Sequence, residues 1–292
     1  MASGRDIKRR ITSVKNTRQI TRAMKMVAAA KLRRAQDTVL GSRHYAHKIK
    51  DLMTRLMYDY AGAEKTPHPL FEKRVVKTAL ILVFSSDKGL CGAFNSNLFK
   101  AAMKFIQENH GVKFHVSSVG KKGRDFFRRR DVKLEKCWLD FSSTVNYEFS
   151  SGIAKEVMNM FAQGSVDKVY ILYNRFRTVM VQDVILEPLL PLASEEVYEP
   201  SGNNLAKELL YEPSAEEVLP AIVDQYVKFQ VHQGLLESWA GENGSRMVAM
   251  DSATRNAGDM MARLTLAYNR ARQSAITKEL IEIVSGADAL KG

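Results

Sequence analysis

The sequence predicts a mixed α+β and α/β protein in which a long antiparallel coiled coil, formed by the N- and C-terminal helices, carries a compact α/β domain inserted between its arms. Three observations predict it. All seven prolines fall between Pro67 and Pro220, which leaves 66 residues before the first and 72 after the last without one. Proline removes a backbone donor and clashes with the preceding turn, so proline-free ends of that length predict two very long helices. Both ends repeat apolar residues at alternating spacings of four and three, the heptad signature. Between them, short apolar runs alternate with amphipathic stretches, the pattern of strands and helices in turn.

The first helix is expected to start at Ser3, because "SGRD" offers a hydroxyl at the N-cap and a carboxylate three residues later, satisfying backbone amides that would otherwise lack partners. Its seam reads Ala28, Leu32, Ala35, Val39, Ser42, Ala46, Ile49, Met53, Leu56 and Tyr60. A helix from Ser3 to Tyr60 would be roughly 85 Å long at about 1.5 Å per residue. The last segment places Ala253, Ala257, Met260, Leu264, Ala267 and Ala271 on one register, followed by a phase jump to Ile276, Leu280, Ile283 and Ala287. Strict heptads call for a left-handed supercoil, and the alanines allow close approach of the backbones. Each fully buried Leu, Met or Ile contributes about 1.5 to 3 kcal/mol, so a handful of them can hold the pair.

In the middle, "TALILVF" (78–84) reads as a buried strand, "NLFKAAMKFIQEN" as a helix, "VKFHVSSVG" as a second strand and "SGIAKEVMNMFAQ" as a second helix. "DKVYILYNRF" and "TVMVQDVILEPLLPL" read as a hairpin. The inserted domain is therefore expected to be Rossmann-like and partly parallel. The boundaries that follow are a discontinuous shaft, 1–62 plus 208–292, an inserted domain at 75–195, and a connection at 196–207.

Charge is unevenly placed. The chain carries a formal +12, of which the first 60 residues contribute +11. "RRITSVKNTRQITRAMKMVAAAKLRRA" (9–35) alone holds nine Lys or Arg and no acid. Such a segment implies an acidic or anionic partner surface. On its own it fits an import tag, a nucleic-acid arm, a membrane-surface helix or a component of a larger machine. An import tag would be cleaved, whereas this stretch runs into a continuous seam. A nucleic-acid arm is disfavoured by the lack of interleaved aromatics before Tyr45, and the apolar seam argues equally against a membrane-surface helix. The most apolar run, "TALILVFSS", meets Asp87 after nine residues, well short of a membrane span. Cys91 and Cys137 lack a second thiol or histidine at metal-ligand spacing and read as reduced structural thiols, which fits a cytoplasmic setting.

Candidate chemistry is sparse. "SSDKGLCGAFNSN" (85–97) is a strand-to-helix turn with Gly89 and Gly92, but it lacks the spacing of either phosphate-binding glycine motif. "GKKG" (120–123) reads as a basic loop, and His44 with His47 as solvated helix residues without further ligands. Glu279 and Glu282 have no pocket or nucleophile to serve and read as a polar stripe. No enzyme emerges from these residues, and no cofactor or metal is expected.

Four stretches carry a resemblance. "ITKELIEIVSGADA" (276–289) resembles the C-terminal signature of the gamma subunits of F-type ATP synthases: Ile-Thr, a Glu two positions on, an acid three later, then Gly-Ala. "RDIKRRITSVKNTRQITRAMKMVAAAKLRRAQ", "SSDKGLCGAFN" and "ENGSRMVAMDSATRNAGDM" resemble that family too, in the expected order. The resemblance implies a non-catalytic rotor of the central stalk, whose coiled coil stands inside a ring of alpha and beta subunits and whose inserted domain sits at the foot, against the epsilon subunit and the membrane c-subunit ring. It implies contact with the beta subunits by Met24 and Lys25, by Asp87 and Lys88, and by Arg272, Gln273, Thr277 and Glu279. It implies a c-ring or epsilon contact at Tyr211 and Glu212. The basic helix would then face acidic lever loops of the beta subunits. The extra cysteine-bearing insertion of the chloroplast form is missing, and no leading segment precedes Ser3, so the expected setting is peripheral, on the cytoplasmic face of a bacterial plasma membrane. A basic coiled-coil nucleic-acid binder is the alternative reading, followed by a phosphate-handling α/β enzyme.

Overall fold

The computed structural model describes residues 4–59, 68–130, 132–141, 145–192, 212 and 214–289. Helix α1 (Gly4–Asp59) opens the chain. There follow β1 (Thr78–Phe84), α2 (Phe94–Glu108), β2 (Lys113–Val119), α3 (Lys121–Phe127), β3 (Lys133–Trp138), α4 (Tyr147–Ala162), β4 (Lys168–Phe176) and β5 (Gln182–Leu190), and α5 (Ala215–Ala289) closes the chain. The chain divides into two compact units, residues 1–29 with 246–292 and residues 30–245. Both long helices contribute to each.

In the second unit the five strands form one sheet in the order β3-β2-β1-β4-β5. The first four are parallel and β5 runs antiparallel to β4, as the hairpin pattern predicts. β1 lies at the centre and is apolar on both faces because both faces are covered. Ala79, Ile81 and Val83 meet Leu98, Phe99 and Ala102 of α2 and Phe127 of α3. Leu80, Leu82 and Phe84 face the core that also contains Ile153, Val157 and Phe161 of α4, Met53 and Leu56 of α1, and Val227, Val231 and Leu235 of α5.

α1 and α5 pack antiparallel within each unit. In the second, Ser42 Oγ donates to Gln233 Oε1 (2.9 Å) and the Tyr45 and Phe229 rings lie 4.8 Å apart. In the first, Lys25 meets Asp251 at 2.6 Å and the Thr21 and Thr254 hydroxyls are 2.8 Å apart. The α1 seam is buried or half-buried at every predicted position from Ala28 to Leu56, and the same spacing runs back through Lys25, Thr21, Val14, Ile11 and Ile7, with only Arg18 exposed. Ser3 and Tyr60 lie outside the described residues.

Several expectations need correction. In α5 the predicted register is right at Ala253, Ala257, Leu264 and Ala271 but wrong at two positions: Met260 is 53% exposed and Ala267 is exposed, while Met261 and Tyr268 turn inward. Beyond Ala271 the predicted continuation at Ile276, Leu280 and Ile283 is exposed. α5 starts before Pro220, because Ser214 Oγ accepts from Glu217 N (3.3 Å) and caps it, and the proline so near the start forfeits only one helical bond. "GKKG" opens α3, and β3 follows it. β3 escapes the periodicity because "KLEKCW" carries charges on both faces, and its pairing with β2 makes it a strand.

At the other end of the central strands, Asp167 Oδ2 accepts from the backbone N–H groups of Thr78 (2.8 Å) and Lys77 (2.9 Å). The bond from Thr78 is the main cause that holds this carboxyl below its usual value of 3.8, so its contribution is present above that pH and is lost as pH falls through the lower folded value. Asp167→Asn is expected to cost about 1 to 2 kcal/mol at neutral pH. In urea denaturation the gap between the two proteins should close below pH 3.8; a gap independent of pH refutes the assignment.

Candidate functional site

In a doubly wound sheet a ligand binds where the strand order reverses, outside the carboxyl ends of the strands. Here that place lies between β1 and β4, and α5 fills it. Ser238 Oγ donates to Phe84 O (3.0 Å), and Glu237 Oε2 accepts from Phe176 N (2.9 Å). A Cβ on Gly234 would lie 3.0 Å from both Ile171 and Phe84, so the helix packs here more closely than it could beside a larger residue without those side chains shifting. A polypeptide occupies the crevice that a nucleotide would need, which accounts for glycine turns without a phosphate motif. Among the described residues no cluster of His, Cys, Asp or Glu could hold a metal, and His44 and His47 are exposed on α1.

The loop after β1 is tied from below and presents two side chains outward. Asp87 is 8% exposed, and its Oδ1 accepts from Lys121 N (3.0 Å) and Asp140 N (3.3 Å). Ser86 Oγ donates to Lys88 O (2.8 Å), and Asn95 donates to both Ser86 Oγ (2.7 Å) and Cys91 Sγ (3.2 Å). On this base stand the exposed Lys88 and Leu90, the latter 65% exposed at φ 62°. A non-glycine residue held in the left-handed region is uncommon, and surface loops that keep one are often functional. Leu90 was not among the predicted site residues; a sequence shows exposure of a lone Leu between two glycines only if the turn is already known.

The first unit carries Met24, Lys25, Arg272, Gln273, Thr277 and Glu279. Lys25 is paired with Asp251, which also holds Arg255 (3.1 Å), and the Lys25 hydrogen bond keeps the Asp251 carboxyl below its usual range. Met24 beside it is half-buried. Ile20, Met26 and Val27 are exposed large apolar residues on the same stretch of α1. All three stand off the four-three seam, but only once that seam is traced back through Lys25, Thr21, Val14, Ile11 and Ile7.

Arg272, Gln273, Thr277 and Glu279 are all exposed, and every described side chain from 272 to 286 is exposed with them. Thr277 Oγ1 donates back to Gln273 O (3.0 Å), and a shallow hollow of about 760 Å³ on this stretch is lined by Gln273, Thr277, Ile281 and Glu282 among others. Ile276, Leu280, Ile281, Ile283 and Val284 are 48 to 68% exposed. Five large apolar side chains left in water on one stretch of helix mark a surface that another molecule covers. Glu212 is exposed, and Tyr211 lies outside the described residues. Among the described residues no helix is long and apolar enough to cross a membrane.

A family model described as ATP synthase matches residues 3–290. The ATP synthase gamma chain of Geobacter metallireducens is 47% identical to this chain over the full length of both, and that of Anaeromyxobacter sp. (strain Fw109-5) is 44% identical over the full length of both. Among solved structures, a chain of the Tetrahymena thermophila mitochondrial ATP synthase, from its central stalk and c-ring, aligns with a TM-score of 0.64 and 28% identity over 80% of this chain and 99% of that one. A chain of the Euglena gracilis mitochondrial enzyme gives 0.68 over 98% and 94%, and at 20% identity that match speaks for the fold.

Proposed function

The chain belongs to the ATP synthase gamma-subunit family, the non-catalytic rotors of the central stalk, and from that premise we propose how its surfaces carry the coupling. As a member it links ion flow through the membrane c ring to conformational changes in the catalytic beta subunits, where ATP is made. The nucleic-acid alternative finds no support among its relatives. An asymmetric shaft makes different contacts with each of three chemically identical beta subunits, so turning it changes their relative affinities for nucleotide; a partner without differential contact energy would shift nothing.

The proposal assigns residues 1–62 and 208–292 to the shaft, 75–195 to the foot and 196–207 to their connection. Arg272, Gln273, Thr277 and Glu279 meet the beta subunits at the tip, Met24 and Lys25 meet a lever loop, and Lys88 meets a second one from a loop that Asp87 holds in place. Tyr211 and Glu212 touch the c ring or epsilon subunit. The chain is peripheral, at the cytoplasmic face of a bacterial plasma membrane. The observation that carries the reading is the uncovered apolar stretch at 276–284, which suits a collar of alpha and beta subunits.

Mixed with purified alpha and beta subunits, the chain is expected to co-elute with them as one complex and to hydrolyse no nucleotide by itself; hydrolysis by the isolated chain would overturn the assignment. Single substitutions Arg272→Ala, Gln273→Ala and Glu279→Ala each remove one exposed polar contact of about 0.5 kcal/mol. ATP-driven ion pumping per ATP should fall by roughly twofold at most for each. A complete loss in any one of them would mean that the contact is concentrated rather than shared.

A further inference from the structure

β3 is one of the two edge strands of the sheet, and among the described residues nothing pairs along its free side. Its outward N–H and C=O groups are a ready template for one more strand. The stretch 121–136, from the start of α3 to β3, carries eight Lys or Arg against three acids. Four of the cations are paired locally: Lys121 with Asp140, Arg124 with Asp125, Lys133 with Glu135 and Lys136 with Glu156. Arg128 and Arg129 are exposed at the end of α3, and the Arg130 guanidinium lies 3.4 Å from the centre of the Phe126 ring.

A cavity of about 580 Å³ opens at this place. Its rim holds Arg128, Arg130 and Lys136, and its floor Phe127, Val132 and Leu134. The successive residues 134–137 all line it. Neighbouring strand residues point to opposite faces, so a cavity reached by all of them lies over the strand's edge. The one carboxylate in the lining, Glu135, is already engaged by Lys133 at 2.6 Å and lies 2.7 Å from His115 Nδ1.

We infer that this edge binds an acidic, extended polypeptide segment as a sixth strand, with main-chain bonds along β3, apolar side chains on the Phe127–Leu134 floor and carboxylates against Arg128 and Arg130. A nucleic acid satisfies the cations but offers no amide ladder, and a flat lipid surface does not reach a recessed apolar floor. The inference stands on this patch alone and needs nothing from the rotor assignment.

The test uses the full chain and a fluorescent peptide of about ten residues, the length of a long strand, alternating Glu and Val. Saturable binding is expected, weakened at least roughly tenfold by Arg128→Glu combined with Arg130→Glu, two exposed side chains, while Arg130→Met, which keeps apolar contact with Phe126, separates loss of charge from loss of that stack. A peptide of equal charge interrupted by proline, which cannot complete a ladder, should bind about tenfold more weakly. Occupancy should slow alkylation of Cys137, which lines the cavity, and leave the buried Cys91 as the internal reference. Equal binding by the proline peptide, undiminished binding by the double variant, or protection of Cys137 by single-stranded DNA but not by the peptide would each overturn the inference.

Discussion

Gly120→Ala is expected to destabilise the second unit by about 3 kcal/mol or more. Gly120 has φ 97° and ψ 146°, a region that side chains other than glycine's hardly enter. A Cβ there would stand 2.4 Å from Ser85 O and 2.8 Å from Ser85 C, which are backbone atoms with no rotamer to change. Nor can that backbone move aside. Ser85 N donates to Val119 O (2.9 Å), Gly120 N to Trp138 O (2.8 Å) and Lys122 N to Ser86 O (3.0 Å). Ser85 Oγ in turn donates to Val119 O and accepts from Gly123 N, each at 2.8 Å. Urea denaturation measures the loss, with Gly111→Ala as the control, because a Cβ at 111 meets nothing within 4 Å. A loss below about 1 kcal/mol at position 120 would show that the three strand ends are less rigid than these bonds require. The same bonds fix the base of the loop bearing Lys88 and Leu90, so the variant should also lose coupling before it loses assembly.

Met24→Lys is expected to reduce ion pumping per ATP by roughly fivefold while leaving the complex assembled. Lys25 and Arg255 already neutralise Asp251, so a new ammonium one residue away does not draw on that acid and is free to pair with an acidic lever loop. A partly desolvated ion pair of about 1 kcal/mol must then be broken at each step of rotation, and 1 kcal/mol on a barrier is a factor of about five. Assembly depends on many contacts and should hardly notice. Membrane vesicles carrying the complete enzyme give both numbers, ATP hydrolysed and ions moved. An unchanged ratio removes Met24 from the proposed contact.

How far the sequence could be read differs by element. The α1 seam from Ala28 to Leu56 was legible because every position is apolar or small. Its extension to Ile7 was hidden by Thr21 and Lys25, polar residues on the seam whose partners, Thr254 and Asp251, lie more than two hundred positions away. In α5, Met260 and Met261 stand side by side, as do Ala267 and Tyr268, and periodicity cannot choose between adjacent residues of similar character. Gly234 carries no signal in the sequence, and only the Phe84 and Ile171 side chains against it show why a glycine stands there. The tip residues were legible only through resemblance, since an exposed Gln or Thr on a helix carries no signal of its own. Asp87 showed the opposite limit, a charge that reads as surface and is almost wholly buried in bonds to backbone amides.

By itself the sequence determined that the ends are long helices, that an α/β domain interrupts them, and which family the chain resembles, because proline placement, heptad spacing and local motifs act within a few turns of chain. Only the tertiary structure decided which of two adjacent residues faces inward in α5, that β3 is a strand, that α5 closes the crevice where a ligand would sit, and that the tip is left uncovered. Each of these depends on which distant atoms come to lie within a few ångströms, and that information resides in the packing rather than in any one segment.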